Sequence, residues 1–148
     1  MKNIIFALIG LIVITVVYAF NNPKVDFTTD PKDGIQFHNE KWIDILALAK
    51  KENKLVFLDV YATWCGYCKR MKKNTFSNIE VGRFYNQNFI NVSFDAEKGE
   101  GLDIAYKYRI SGLPALLYLN GDGKVLLQSS GYLQPNELIN LGKQTLKK

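Results

Sequence analysis

Cys65 and Cys68 are the only cysteines in the chain, and two residues separate them. As a structural staple such a pair is poor, because it closes a very short loop and the entropic gain of a disulfide grows with loop length. Chemistry explains the pair better. Residues three apart on a helix sit about one turn apart on one face, near enough for the Cα separation of about 4.4–6.8 Å that a disulfide needs. One sulfur can attack a substrate disulfide, and the other can release the mixed species. Two cysteines and the single His38 cannot make a four-ligand zinc site. Lys69, where haem attachment needs a histidine, excludes that signature as well. A Cys–His nucleophile using His38 is the remaining reading, and it leaves the second cysteine without a purpose.

The pair needs elements that present it. Leu55 to Val60 is a nearly continuous apolar run of the kind that forms a central strand covered on both faces. The pattern predicts a helix that starts at the cysteines and runs, with a kink, to about Gln87. A strand feeding a helix puts Cys65 at a helix N-terminus, where unpaired amides and the helix dipole favour thiolate, the nucleophilic form. Upstream, Ile35 to Phe37 alternates like a short first strand. Asn39 is the expected cap of a helix reaching about Asn53, with Trp42, Ile45, Leu46 and Ala49 on one face. Downstream come a strand over Asn88–Phe94, a helix over Leu102–Tyr108 and a strand over Ala115–Leu119. An Asn-Gly-Asp-Gly turn at 120–123 then leads into a returning strand over Lys124–Gln128. Pro135 opens a last helix at its favoured first position, with Leu138, Leu141 and Thr145 on one face. The order is β-α-β-α-β-α-β-β-α. Its alternating part implies parallel strands with helices on both faces, and its final hairpin adds an antiparallel edge, so the class is α/β with a mixed central sheet.

Asp59 interrupts the apolar run. A carboxylate buried there costs several kcal/mol unless it is paired or protonated, and misplaced ionisable groups mark functional sites. The plainer reading is an edge-exposed or water-bound aspartate. A buried Asp59 should titrate well above a free one.

The first residues are of another kind. Lys2 is the only charge before Lys24. The apolar run Ile4–Val17 follows it, then Val17-Tyr18-Ala19, which fits a small-x-Ala cleavage site. Residues 1–19 read as a secretory signal peptide cut after Ala19. An uncleaved membrane anchor is the alternative, since the uncharged stretch is just long enough to span. Both place the domain outside the cytoplasm. Residues 20–34, rich in turn formers, read as a linker, and 35–148 as one domain of ordinary size. The net charge of +5 falls by one with Lys2, a mild balance. No basic run interleaved with aromatics argues for nucleic acid. Lys69, Arg70, Lys72 and Lys73 read as the solvated face of a helix.

The run LVFLDVYATWCGYCKRM, Leu55–Met71, resembles the active-site region of the thioredoxin superfamily. The stretch from Trp42 through Met71 is similar to the exported bacterial branch with an extra N-terminal helix. Ser111-Gly112-Leu113-Pro114 resembles the family's cis-proline loop, Asn120–Val125 its hairpin, and Gly131 the glycine before its last helix. The resemblance covers about residues 35–148. It implies a thioredoxin-like fold and exchange of dithiol and disulfide with protein substrates, without metal or organic cofactor. By it, Cys65 attacks and Cys68 resolves. Asp59 relays a proton to and from Cys68. Trp64, Gly66, Tyr67, Leu113 and Pro114 meet the substrate, the Leu113 backbone pairing with an extended segment. A redox partner, either a membrane electron-transfer protein or an oxidising quinone-linked one, must recharge the pair. The chain departs from the family in two places. Gly66-Tyr67 stands where cytoplasmic thioredoxins have Gly-Pro and eukaryotic disulfide isomerases Gly-His, though the bacterial periplasmic isomerase shares Gly-Tyr. Asn91 aligns with the lysine that often accompanies the buried aspartate. Without a histidine between the cysteines the thiolate is less stabilised, which leans toward a reductase. Disulfide isomerisation and a non-catalytic binding or holdase module are the alternatives.

Overall fold

The computed structural model describes residues 2–21 and 25–147. Asn22–Lys24, part of the expected linker, lie outside them. Helix α1 (Lys2–Asn21) comes first. It exposes Phe6, Leu8, Ile9, Leu11, Ile12, Ile14 and Val17, with no charged face among them. A helix apolar all round is not the amphipathic kind that seats on a soluble core.

Four strands form the central sheet in the order β2-β1-β3-β4. They are β1 (Leu55–Tyr61), β2 (Phe89–Asp95), β3 (Ala115–Leu119) and β4 (Val125–Ser130). β1 pairs parallel with β2, while β3 is antiparallel to both β1 and β4. The mixed α/β sheet expected from the sequence is therefore present, but antiparallel pairing begins one strand earlier than the β-α alternation implies. The connection from β2 to β3 holds one short helix, α5 (Glu100–Lys107), and the cis-proline loop, and the chain re-enters the sheet beside β1 running the opposite way.

Side-chain alternation along β1 sorts two cores. Val56, Leu58 and Val60 point beneath α2 (Trp42–Glu52) and α5, joined by Trp42, Ile45 and Ile104. Phe57 points the other way, among Phe76, Val81, Tyr85, Leu116, Tyr118 and Leu138. That second face is covered by α3 (Gly66–Arg70), a π-helical stretch over Met71–Phe76, α4 (Ile79–Asn88) and α6 (Pro135–Thr145). The helix expected from the cysteines to Gln87 is thus broken. Its π stretch ends at Ser77, and Asn78 starts α4 anew by accepting the Glu80 and Val81 N–H groups.

Two local expectations are corrected. The first strand shrinks to one parallel bridge, His38 to Val92, although Ile35 is buried as its pattern requires. Asn39 caps nothing: α2 begins after Lys41, and the Trp42 N–H is satisfied by Glu100 from α5. Pro135 opens α6, where Gln134 and Glu137 form a capping box.

Candidate active site

β1 ends at Tyr61, and the chain turns at once, with the Cys65 N–H bonded to the Ala62 carbonyl at 3.1 Å. Cys65 is the N-cap of α3. It has extended backbone angles, and its sulfur accepts the Cys68 N–H at 3.1 Å. A helix start leaves such amides without internal partners, so the Cys68 N–H is free to face Cys65 Sγ, where negative charge develops on reduction. Cys65 and Cys68 are joined as a disulfide with Cα atoms 5.3 Å apart. Their exposures, 5% and 2%, are both small. Only Cys65 lines the adjoining cavity of about 400 Å³. An incoming sulfur thus reaches Cys65, and Cys68 lies behind it.

The other residues expected to meet a substrate converge on the same opening. Trp64, Gly66, Tyr67 and Leu113 line it together with Ile110 and Gly112. Trp64 and Tyr67 are exposed by 66% and 61%. These exposed aromatics give the opening an apolar rim. The Leu113–Pro114 bond is cis. Leu113 packs against the cysteine pair, while Pro114 is buried behind it and does not line the opening. The Pro114 carbonyl accepts the N–H of Gly131, whose φ of 91° suits glycine.

Asp59 is 3% exposed, which excludes the edge-exposed reading. By the alternation of β1 it shares the face of Phe57 and Tyr61, beneath the helix that starts at Cys65. Burial pushes its carboxyl up to about 7, while a Ser93 hydrogen bond and the positive charge of Lys72 pull it back. Ser93 Oγ donates to Asp59 Oδ2 at 2.8 Å, and Oδ1 has no hydrogen-bond partner among the described residues. The strand pairing shows where Asn91 lies. Ser93 lies opposite Asp59, whereas Asn91 lies opposite Phe57 and donates to Asn86 and Gln36.

Sequence reasoning missed three participants. Glu97 accepts the Trp64 indole N–H at 2.9 Å and orients that ring. Phe27, in the expected linker, stacks on Tyr61 at 4.2 Å and packs against Ala62, Cys65 and Cys68. Lys72, expected on a solvated face with Lys69, Arg70 and Lys73, is only 7% exposed. Each contact joins residues at least 33 positions apart, so no local spacing announces it. Lys72 shares the buried side of the π stretch with Met71, Thr75 and Phe76. His38 stands at the edge of β2 with Glu40 at 3.3 Å. It lines neither the opening nor the cysteine cluster.

A mixed sheet that delivers a Cys-x-x-Cys disulfide to a helix N-terminus, opposite a cis-proline loop, defines a thiol–disulfide oxidoreductase of the thioredoxin fold. The chain belongs to the thioredoxin-like domain family, whose model matches residues 44–146. It is similar to the thiol:disulfide interchange protein DsbD of Actinobacillus pleuropneumoniae serotype 5b (strain L20), 30% identical over 96 residues. That match takes in 63% of this chain and 16% of the relative, so the chain corresponds to a small part of that protein. Among solved structures, a candidate disulphide-isomerase from Bacteroides thetaiotaomicron is 36% identical with a TM-score of 0.69, covering 78% of this chain and 96% of that one. A thioredoxin from Thermus thermophilus shares the fold at 22% identity and a TM-score of 0.67, covering 76% and 88%.

Proposed function

We propose that the chain is an exported protein-disulfide reductase. The observation that carries this is the asymmetric pair: Cys65 at the opening with an amide aimed at its sulfur, and Cys68 behind it in bonding reach. In the reduced protein the Cys65 thiolate attacks one sulfur of a substrate disulfide. A mixed disulfide forms and the other substrate sulfur leaves as a thiolate. Cys68 then gives up its proton and attacks Cys65 Sγ, the second substrate sulfur leaves, and the Cys65–Cys68 disulfide closes. Two electrons pass to the substrate, and the two departing sulfurs each take a proton. Asp59 is the base for Cys68. A carboxyl held near 7 is about half ionised at neutral pH, so it accepts and returns a proton with similar ease.

Trp64, Gly66, Tyr67 and Leu113 hold the substrate, the backbone at Leu113 pairing with an extended segment. Pro114 supports that loop from behind. No metal or organic cofactor enters these steps. Substrates are protein disulfides, and a second redox protein re-reduces the pair. Residues 1–19 act as an export signal cut after Ala19, and the apolar surface of α1 supports this. Left uncut, the segment would tether the domain to a membrane.

The test is the reduction potential of the pair, alongside insulin reduction with a supplied reductant. A potential well below the roughly −180 to −210 mV of an oxidising secretory compartment supports reduction, and a value inside that range favours isomerisation. The likeness to the Bacteroides protein gives that second reading its weight, and refolding of a scrambled multi-disulfide protein decides it. Insulin turnover no faster than that of Cys65→Ser would make the domain a binding module.

A further inference from the structure

The matched family domain begins at residue 44, yet the cysteine pair is packed from outside it. Residues 26–37 form a strap across the face of the sheet that carries Phe57 and Tyr61. The end of the strap nearer α2 is rooted. The Ile35 N–H bonds to the Phe76 carbonyl at 2.8 Å, and Asn86 of α4 accepts the Gln36 N–H at 2.9 Å while donating to the Gly34 carbonyl at 3.0 Å. Gly34 passes so close to the π stretch that a Cβ there would run into the Phe76 carbonyl.

The other end is an arm, residues 26–30, held by fewer groups. Asp26 accepts the Thr28 N–H at 2.8 Å and the Thr28 and Thr29 hydroxyls, each at 2.6 Å, which folds the arm into a turn. The Lys72 ammonium donates to the Phe27 carbonyl and to Asp30 Oδ1, both at 3.4 Å. Lysine is almost never buried unless paired, and these partners of buried Lys72 both lie in the arm. The other oxygen of Asp30 accepts the Phe37 N–H at 2.6 Å, which ties the arm back to the rooted end. Lys72 and Asp30 are the latch of the strap.

What the latched turn presents is Phe27. Its ring lies flat on Tyr61, with centroids 4.2 Å apart and planes 6° from parallel, and it packs against the cluster of Ala62, Cys65 and Cys68. The opening that Cys65 lines is bounded by Trp64, Tyr67, Ala96, Ile110 and Leu113, and Phe27 has no part in it. The pair therefore has an open flank at Cys65 and a closed flank, and part of the closure is a ring that the matched domain does not supply.

We propose that Phe27 is a shield for the exchange site: carried on an arm latched by Lys72 and Asp30, it closes the inner flank of the cysteine pair, so that thiols and disulfides reach Cys65 Sγ and not Cys68 Sγ. The choice matters when a partner protein re-reduces the pair. A partner thiolate that attacks Cys65 Sγ forms a mixed disulfide there, breaks the Cys65–Cys68 bond and releases Cys68 as a thiolate, which takes up a proton. Attack on Cys68 Sγ would instead leave the partner on the buried sulfur and release Cys65. That consequence rests on the exchange function proposed above. The closure of the flank does not.

The experiment is alkylation by iodoacetamide in the full-length chain. In a Cys65→Ser background Cys68 is the sole thiol, and rates are read at the high-pH plateau, where a shifted thiol titration cannot imitate access. Adding Phe27→Ala should raise the Cys68 rate about tenfold, because loss of the ring makes local opening of that flank easier. Phe27→Leu, which refills most of the space, should stay within about threefold of the parent. Lys72→Met, which keeps the ring and frees the arm, should raise the rate by about threefold to tenfold. In a Cys68→Ser background, which reports Cys65, Phe27→Ala should change the rate by less than about twofold. An unchanged Cys68 rate in Phe27→Ala, or an equal rise at both cysteines, overturns the proposal. If Phe27→Ala does not fold, Lys72→Met decides alone: a rise confined to Cys68 supports the shield, and no rise or a rise at both cysteines refutes it. A rise confined to Cys68, in a protein whose wild type does not reduce insulin, would uphold the shield and remove the reductase reading.

Discussion

Asp59→Asn separates what the buried carboxyl costs the fold from what it gives the reaction. Asp59 titrates at about 7 in the folded chain against 3.8 for a free aspartate. Between those values the folded protein holds a proton that the unfolded chain has released. Wild-type stability therefore falls as pH rises through that window, because the native state binds more protons than the unfolded state. Three pKa units at about 1.4 kcal/mol each amount to roughly 4 kcal/mol lost by pH 8. Asparagine keeps a hydrogen-bonding partner for Ser93 and carries no charge to bury. Oxidised Asp59→Asn should accordingly be about 4 kcal/mol more stable than wild type at pH 8, and within about 1 kcal/mol of it at pH 4. Urea unfolding at the two pH values reads this directly. With a slope of about 2 kcal/mol/M, the midpoints should differ by roughly 2 M at pH 8 and nearly coincide at pH 4. The same variant should lose the inflection near neutral pH in the rate of the resolving step. A stability difference that stays constant from pH 4 to 8 would show that Asp59 is not an acid raised by burial, and the reasoning about its environment would fail.

Two other contacts give independent expectations. Glu97→Ala releases the Trp64 indole, whose N–H it accepts at 2.9 Å. One exposed, charge-assisted hydrogen bond is worth about 1 kcal/mol, so KM for insulin should rise about threefold to fivefold with kcat within twofold, and Trp64 fluorescence anisotropy should fall. An unchanged KM would show that the orientation of the ring does not matter. Tyr85→Phe removes a buried hydroxyl that donates to the Leu138 carbonyl at 2.7 Å and meets the Tyr118 hydroxyl. It should cost about 1–3 kcal/mol in thermal or urea unfolding and leave turnover intact, because the tyrosine pair belongs to the core and not to the opening.

Much of this site is legible in the sequence because its chemistry is local. Cys65 and Cys68 are bound by spacing, β1 by its apolar run, the β3–β4 turn by Asn120 to Gly123, and the start of α6 by Pro135. Asp59 stands out because a charge inside such a run has few explanations. What escapes is what the fold brings from a distance. Ser93 reaches Asp59 only through the register of β1 against β2. Lys72 looks solvated beside Lys69 and Lys73, and it is buried because the π stretch turns it under residues of the N-terminal strap. Phe27 sits in a turn-rich segment with nothing in its pattern to say that it packs on a disulfide. The reduced first strand has a similar cause. Ile35 needs only burial, which the Ile35 N–H bond to the Phe76 carbonyl supplies without a full ladder.

The division of labour between the two sulfurs is tested most directly by trapping. Cys68→Ser protein, reduced and mixed with a disulfide substrate such as insulin, should accumulate a covalent adduct that peptide mapping by mass spectrometry places on Cys65. Cys65→Ser, treated alike, should give little or none. An adduct that forms as readily on Cys68 in Cys65→Ser, or none in either variant, would contradict the account.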